Sequence, residues 1–214
     1  MQFDQMIDQA QEYLDDPNAD VWTDARIGRL LNIAQDYVVS VIEQEDEDYF
    51  IKSENVSVTA VTDNSDFTNA LASDYRKSVV FHRLVTNQRP AKLFYVPWRD
   101  FDKTDLDIPT EYDPAPLVTL RGANLVVRAP SEAFTLRHWY LPVLAAMTGT
   151  ATSSIPREYH AFVVAHAVHE ALLSENNDAN LIAYWKKKVD DYEKNCKETV
   201  GARQVQQAWT VQEV

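Results

Sequence analysis

The sequence predicts an α+β fold, mainly α, in which a four-helix bundle carries an inserted small antiparallel β-sheet and hairpin module and an extended C-terminal tail. Three observations lead to this prediction. Apolar residues recur at helical spacing near both ends of the chain, which is typical of amphipathic helices. Between them the pattern changes to short β-branched and aromatic runs separated by polar turns. The last residues follow a third, alternating pattern.

Two helices are expected in the N-terminal part. In the first, residues 2–16, apolar residues are spaced by three and by one, and a proline follows. The second, residues 23–46, begins where Thr23 or Asp24 can cap a helix. Its stripe includes Gly28, which costs about 1 kcal/mol relative to alanine in a helix interior. We therefore expect close packing against a neighbour at that glycine.

Residues 49–144 are expected to form the β-rich insertion. Residues 117–128 read as a hairpin, because two β-branched runs flank a short turn at Gly122. Residues 134–140 alternate between apolar and polar types, which indicates a further strand. The insertion is therefore predicted to be a small and mostly antiparallel sheet.

Two more helices are expected after the insertion, at residues 156–174 and 179–200. Gly201 is placed to end the last one, because glycine is common just past a helix C-terminus. On this interpretation residues 1–201 form a single domain, and residues 202–214 form an extended tail.

Composition and charge exclude several function classes. The formal net charge of −13 among 214 residues argues against wrapping nucleic acid through neutralised phosphates. Four scattered glycines cannot build a dinucleotide-binding or phosphate-binding loop. Cys196 is the single cysteine, so no intramolecular disulfide is expected. We also expect no membrane span and no signal peptide, because no apolar stretch is long enough and no basic region opens the chain.

The histidines are the most suggestive chemical candidates. His160, His166 and His169 lie on one predicted helix, and the last two share a face. A helical metalloprotease needs two histidines four residues apart with a glutamate between them, and His-Ala-Val-His-Glu does not fit that order. We therefore predict no catalytic residue, no metal site and no cofactor-binding residue.

Five segments spread along the chain carry a resemblance to a known family. They are residues 22–34 (WTDARIGRLLNIA), 71–76 (LASDYR), 125–130 (LVVRAP), 136–142 (LRHWYLP) and 155–160 (IPREYH). Together with the order of the elements, they resemble the head–tail connector proteins of tailed bacteriophages, also called adaptor or head-completion proteins. Position 72 is alanine where that family usually has proline.

The resemblance implies a virion structural protein and not an enzyme. Such adaptors form a homo-oligomeric ring, twelve-fold in the particle, that binds the portal protein above and a tail or stopper protein below. DNA passes through the ring during packaging and ejection without sequence-specific binding, and a strongly acidic subunit suits such a channel. The implied location is the head–tail junction of the virion, after assembly in the host cytoplasm, with no membrane contact.

The tail is the part for which we predict a binding role. Val205, Trp209 and Val211 alternate with polar residues, which is typical of a strand. We expect the tail to add a strand to a neighbouring subunit or to the portal, with Trp209 as its anchor. Two alternative functions stay open. One is a small cytosolic metal-dependent hydrolase that uses the His166 and His169 face, and the other is a helical adaptor protein without a virion role.

Overall fold

The structure is a computed structural model of the chain. It describes residues 1–61, 65–84, 90–101, 117–128, 130, 132–151, 153–175 and 177–211, with side chains as far as Arg203. The chain forms two compact units. We call Met1–Tyr49 together with Leu144–Val214 the helical unit, and Phe50–Val143 the β unit.

Five helices occur in the described residues, and four of them belong to the helical unit. The helices are α1 (Phe3–Tyr13), α2 (Asp24–Glu45), α3 (Trp98–Phe101), α4 (His160–Ser174) and α5 (Ala179–Val211). Helix α4 is buried on almost its whole circumference, because α1, α2 and α5 all pack against it. A 3₁₀ turn, Arg157–Tyr159, leads into it. Within the described residues, none of the helices is both long and apolar enough to cross a lipid bilayer.

The close packing expected at Gly28 is confirmed. A Cβ atom at this position would lie 3.0 Å from Cζ of Phe3 and 3.9 Å from Cδ1 of Ile7, both on α1. The absence of a side chain at Gly28 therefore lets the Phe3 ring reach the α2 backbone.

Two amide side chains on α2 hold the segment that precedes α4. The Asn32 Nδ2 donates to the Met147 carbonyl at 3.2 Å, and the Met147 N–H donates back to the Asn32 Oδ1 at 2.7 Å. Gln35, which is 1% exposed, donates to the Ala145 carbonyl and accepts from the Ser153 hydroxyl. These bonds satisfy backbone groups of a segment that is neither helix nor strand.

The β unit contains two four-stranded sheets in its described residues. The strands are β1 (Lys52–Val58), β2 (Phe67–Ala70), β3 (Tyr75–Leu84), β4 (Ala91–Lys92), β5 (Phe94–Tyr95), β6 (Leu117–Arg121), β7 (Asn124–Val127) and β8 (Phe134–Pro142). The first sheet has the order β1-β8-β3-β4 and the second the order β2-β7-β6-β5. Only β5 and β6 pair in parallel among the described pairs.

One apolar core joins strands of both sheets. It contains Val56, Val58, Phe81, Leu93, Val118, Leu125, Val127 and Leu136, all at most 6% exposed. The β6–β7 hairpin turns at Gly122, whose φ of +58° is a conformation that glycine adopts without strain. The β unit therefore buries its own core.

The predicted fold class is wrong in two respects. The insertion is not a small hairpin module beside a four-helix bundle, because it contains two sheets and α3. The C-terminal segment is not extended, because α5 continues through Gly201 to Val211. Gly201 lacks the positive φ that Gly122 and Gly149 have, so it continues the helix instead of ending it. Residues 212–214 lie outside the described residues.

Replacing Gly201 by alanine is expected to stabilise the protein. A Cβ atom there would meet nothing within 4 Å, and alanine exceeds glycine in helix propensity by about 0.5–1 kcal/mol. Urea denaturation of Gly201→Ala should show this gain in the free energy of unfolding. Gly28→Ala is the matched control, and it should lack the gain because its Cβ would press on Phe3. Equal gains in both variants would contradict the close contact between Gly28 and Phe3.

Candidate interaction sites

A groove of about 580 Å³ lies in the β unit, along the first half of β3 and the chain from β4 to β5. Its described lining is mostly apolar or aromatic, and three of these side chains are unusually exposed: Val79 at 40%, Phe94 at 40% and Tyr95 at 51%. Lys77 and Lys92 are the charged residues of the described lining, which includes no carboxylate. The described lining is therefore concave and mostly apolar, with two lysines.

The described strands pair with only part of one side of β3, the strand that borders this groove. β3 pairs with β8 along its length, but β4 pairs with it only at His82 and Arg83. The Leu93 N–H then donates to the Phe81 carbonyl at 2.9 Å. No described strand pairs with this side of β3 before Phe81. The register with β8 also shifts between Ser78 and Val80, so that Val79 is an extra residue of the kind found in β-bulges.

A buried polar network lies beside the groove and links three adjacent strands. The His138 imidazole on β8 is 0% exposed. Its Nδ1 lies 3.0 Å from Oε1 of Glu54 on β1, and its Nε2 lies 2.9 Å from Oγ of Ser78 on β3. The Phe81 ring stacks on the imidazole with a centroid distance of 4.6 Å. The network thus holds Ser78, a groove residue, to the centre of the first sheet.

Burial lowers the pKa of His138 below its ordinary value of 6.5, against the opposing hydrogen bond and charge of Glu54. The imidazole is therefore neutral at pH 7. Because a carboxylate only accepts hydrogen bonds, the proton belongs on Nδ1, and Nε2 accepts from the Ser78 hydroxyl.

These distances match those of a Ser–His–acid relay, but the surroundings of Ser78 do not support nucleophilic catalysis. A serine hydrolase needs N–H groups directed at the substrate oxyanion beside the serine. The Ser78 N–H instead points at the Tyr75 hydroxyl, 3.2 Å away. We therefore interpret the network as structural, because its hydrogen bonds fix the backbone of β3.

Asp74, within the 71–76 segment of the sequence, is hydrogen-bonded to two adjacent strands of the first sheet, β1 and β8. Its carboxylate accepts from the Lys52 Nζ at 2.7 Å and from the Tyr140 hydroxyl at 2.9 Å. The Lys52 hydrogen bond is the main reason why the pKa of Asp74 is lowered, while burial raises the pKa of Tyr140 to about 12. Asp74 thus links the residue before β3 to β1 and β8.

The three histidines that the sequence placed on one helix do lie on α4 or at its start. Each is at most 9% exposed. The His160 Nε2 is 2.9 Å from the Ile155 carbonyl, and the His166 ring stacks on Tyr37 at 4.3 Å. The His169 Nδ1 lies 3.6 Å from Glu170. Among the described residues, no group of three or more His, Cys, Asp or Glu side chains is placed to hold a metal ion.

The three tail residues with a predicted binding role are at the end of α5. Val205, Trp209 and Val211 are helical in backbone, and their side chains lie outside the described part. Upstream, Cys196 and Val200 are buried, and Arg203 hydrogen-bonds the Tyr49 hydroxyl. The binding role of these residues stays a prediction, now for a helix and not a strand.

The groove was not anticipated from the sequence. Its members come from β3, from the β4–β5 segment and from β6, and no local pattern places these together. The exposed pair Phe94 and Tyr95 is the one signal that could have indicated it, because adjacent large aromatic residues rarely both face a core in a strand.

Comparison with known proteins gives one family. The sequence matches the model of a family described as SU10 adaptor protein over residues 1–210. No curated protein matches the chain. The matched range includes both units and almost all of α5.

Mild acid is expected to destabilise the fold. Burial lowers the pKa of His138, His160 and His166, so these groups bind protons more tightly in the unfolded chain, where the value is 6.5. The contribution of these histidines to the free energy of unfolding is complete above the pKa of the unfolded chain. It is lost as the pH falls towards their pKa values in the folded protein. Denaturant titrations from about pH 7.5 to about pH 5 should show a falling free energy of unfolding. His138→Gln should reduce this pH dependence. If the free energy of unfolding of the variant falls with pH as steeply as before, His138 is not one of the groups responsible.

Proposed function

The chain belongs to the SU10 adaptor protein family, a family of structural proteins of phages, and from this premise we propose that it is a head–tail adaptor. In this proposal it forms a ring that docks on the portal and links it to the tail or stopper, with DNA passing through the centre. The observation that carries the proposal is the family match over residues 1–210. A partial match would have left one unit without an assignment.

The charge of the chain supports a ring through which DNA slides. A ring of identical subunits is a closed assembly in which each contact joins two different patches. With a net charge of −13 per subunit, a channel through such a ring repels DNA phosphates and does not retain them. The virion is the location that the family implies, and assembly in the host cytoplasm is part of the proposal.

The C-terminal helix supports a contact with the portal. Helix α5 has 33 residues, which corresponds to about 50 Å at 1.5 Å per residue. Among its described side chains, which end at Arg203, Val200 is the last buried one, and the backbone is helical for residues 201–211. We propose that this last part, with Val205, Trp209 and Val211, binds the portal.

Ring formation is the first test. The purified chain mixed with portal rings is expected to yield particles with one additional ring, visible by electron microscopy and with the corresponding mass by light scattering. The chain alone, measured in parallel, shows whether the ring needs the portal as a template. The proposal would be overturned if the chain did not associate with a portal protein whose gene neighbours its own.

Trp209→Ala tests the portal contact. Large aromatic anchors contribute about 2 kcal/mol or more at interfaces, so this variant should bind portal rings much more weakly. Its melting temperature should match that of the unchanged chain, because in this proposal Trp209 contacts the portal and not its own subunit. Trp185→Ala is the control, since Trp185 is 5% exposed and its loss should lower the melting temperature. A lower melting temperature of Trp209→Ala with intact portal binding would place Trp209 in the subunit's own fold.

A further inference from the structure

We propose that one end of the helical unit binds an amphipathic segment of another protein, with apolar and basic side chains. We call this surface the apolar end, and its exposed apolar residues are Tyr13, Val21, Leu173, Leu181 and Tyr184. That the other protein is the tail or stopper protein rests on the proposed function. The chemistry of the segment rests on the surface itself.

Contacts between the helices place these residues at the same end of the unit. Helix α1 ends at Tyr13, and the centroid of its ring lies 5.1 Å from that of Trp185, near the start of α5. In the first turn of α2, Arg26 donates to the hydroxyl of Ser174, the last residue of α4. The end of α1, the start of α2, the end of α4 and the start of α5 therefore meet.

The apolar side chains at this end are unusually exposed. Their exposed fractions are 38–56%, and they are five of the ten large hydrophobic residues that are exposed in the described structure. Exposed apolar side chains that cluster mark interaction sites, whereas single ones scattered over a surface do not. Two of the five are tyrosines, which are enriched at interfaces because their rings combine apolar area with a hydroxyl group.

The loop that carries Val21 is fixed before any partner binds. The Asp16 carboxylate accepts from the N–H groups of Val21 and Trp22 at 2.9 and 2.6 Å. The Trp22 ring is buried, and the guanidinium of Arg26 lies 4.1 Å from its centroid. An ordered surface of this kind loses little conformational freedom on binding.

The carboxylates around the apolar end indicate the charge of its partner. Residues 12–24, which join α1 to α2, include five carboxylates and no basic residue. Glu12, Asp15 and Asp20 are exposed, and none of these three side chains has a hydrogen-bond or ion-pair partner among the described residues. An acidic border attracts a basic segment and disfavours an acidic one.

Three cations near this end are already engaged within the subunit. Arg26 forms an ion pair with Glu175. On α5, Lys186 forms an ion pair one turn further along the helix, and the ammonium of Lys188 lies 4.8 Å from the centroid of the Trp185 ring. These cations therefore do not neutralise the free carboxylates of residues 12–20.

Another protein suits the apolar end better than a second copy of this chain does. A second copy has 33 acidic and 20 basic residues, so its approach to an acidic border is opposed by its own net charge. A segment that is rich in lysine or arginine meets no such repulsion.

The length of α5 places the apolar end away from the residues that are proposed to bind the portal. The helix starts at Ala179, at the apolar end, and its 33 residues span about 50 Å. Residues 201–211 lie at its other end. A partner at the apolar end is therefore on the side away from the portal.

The test uses the full chain and two fluorescein-labelled peptides of about 14 residues that form amphipathic helices. One combines leucine with lysine, and the other combines leucine with glutamate. Fluorescence anisotropy is expected to show saturable binding of the lysine peptide alone. Amide NMR shifts on adding this peptide should fall on residues 13–22 and 173–184.

Matched variants locate the binding surface. Val21→Ser should weaken binding about tenfold, because a contact with an apolar side chain is lost. Ile33→Ser is its control, since Ile33 on α2 is also 56% exposed, and it should leave binding unchanged. Asp20→Lys should weaken binding about tenfold, whereas Asp36→Lys, an equal charge change at an exposed site on α2, should not.

Several results would overturn the proposal. These are no saturable binding at millimolar peptide, equal binding of both peptides, equal effects within either pair of variants, or amide shifts confined to the β unit. Melting curves verify that each variant is folded. If Val21→Ser dissociates an oligomer of the chain in the absence of peptide, the occupant is a second copy and the assignment to another protein fails.

The side on which the partner lies is tested separately with portal rings. Val21→Ser should bind these rings as well as the unchanged chain does, and weaker binding would place the apolar end against the portal. Because the peptide measurements do not need the portal, their failure is distinct from a failure of ring assembly.

Discussion

The burial of helix α4 is the constraint on which the helical unit depends. Eleven of its fifteen residues are buried, so apolar partners must cover it on almost every side. The partners α1 and α2 come from the first part of the chain, and α5 follows α4. The unit therefore forms only when both ends of the sequence meet, although 94 residues, Phe50–Val143, separate the two parts. An insertion of that length must fold on its own contacts.

The β unit meets this requirement with a core shared by two sheets. Residues from β1, β3 and β8 pack with residues from β6 and β7, so each sheet covers the apolar face of the other. The buried imidazole of His138 is paired within the unit, with Glu54 and Ser78. Burying this imidazole without a hydrogen-bond partner would destabilise the folded unit.

In a family of structural phage proteins, function is sought on surfaces that contact other proteins. Besides the apolar end, two parts of the described structure are candidates for such surfaces: the helical end of α5, residues 201–211, and the apolar groove with its two lysines. The first belongs to the helical unit and the second to the β unit.

The sequence by itself determined the features that depend on local periodicity. The stripe of Ile27, Leu31, Ala34, Val38 and Ile42 predicts the face of α2 that is buried, because residues three and four apart share one side of a helix. The dispersed motifs likewise identified the family, which the match over residues 1–210 confirms. Tertiary structure alone decided the rest. Strand partners such as Glu54 and His138 are 84 residues apart, so no local pattern specifies two sheets or the groove beside them. The end of α5 was misjudged at Gly201 for a related reason: a glycine permits a helix to end, but only the φ angle that packing selects determines whether it does.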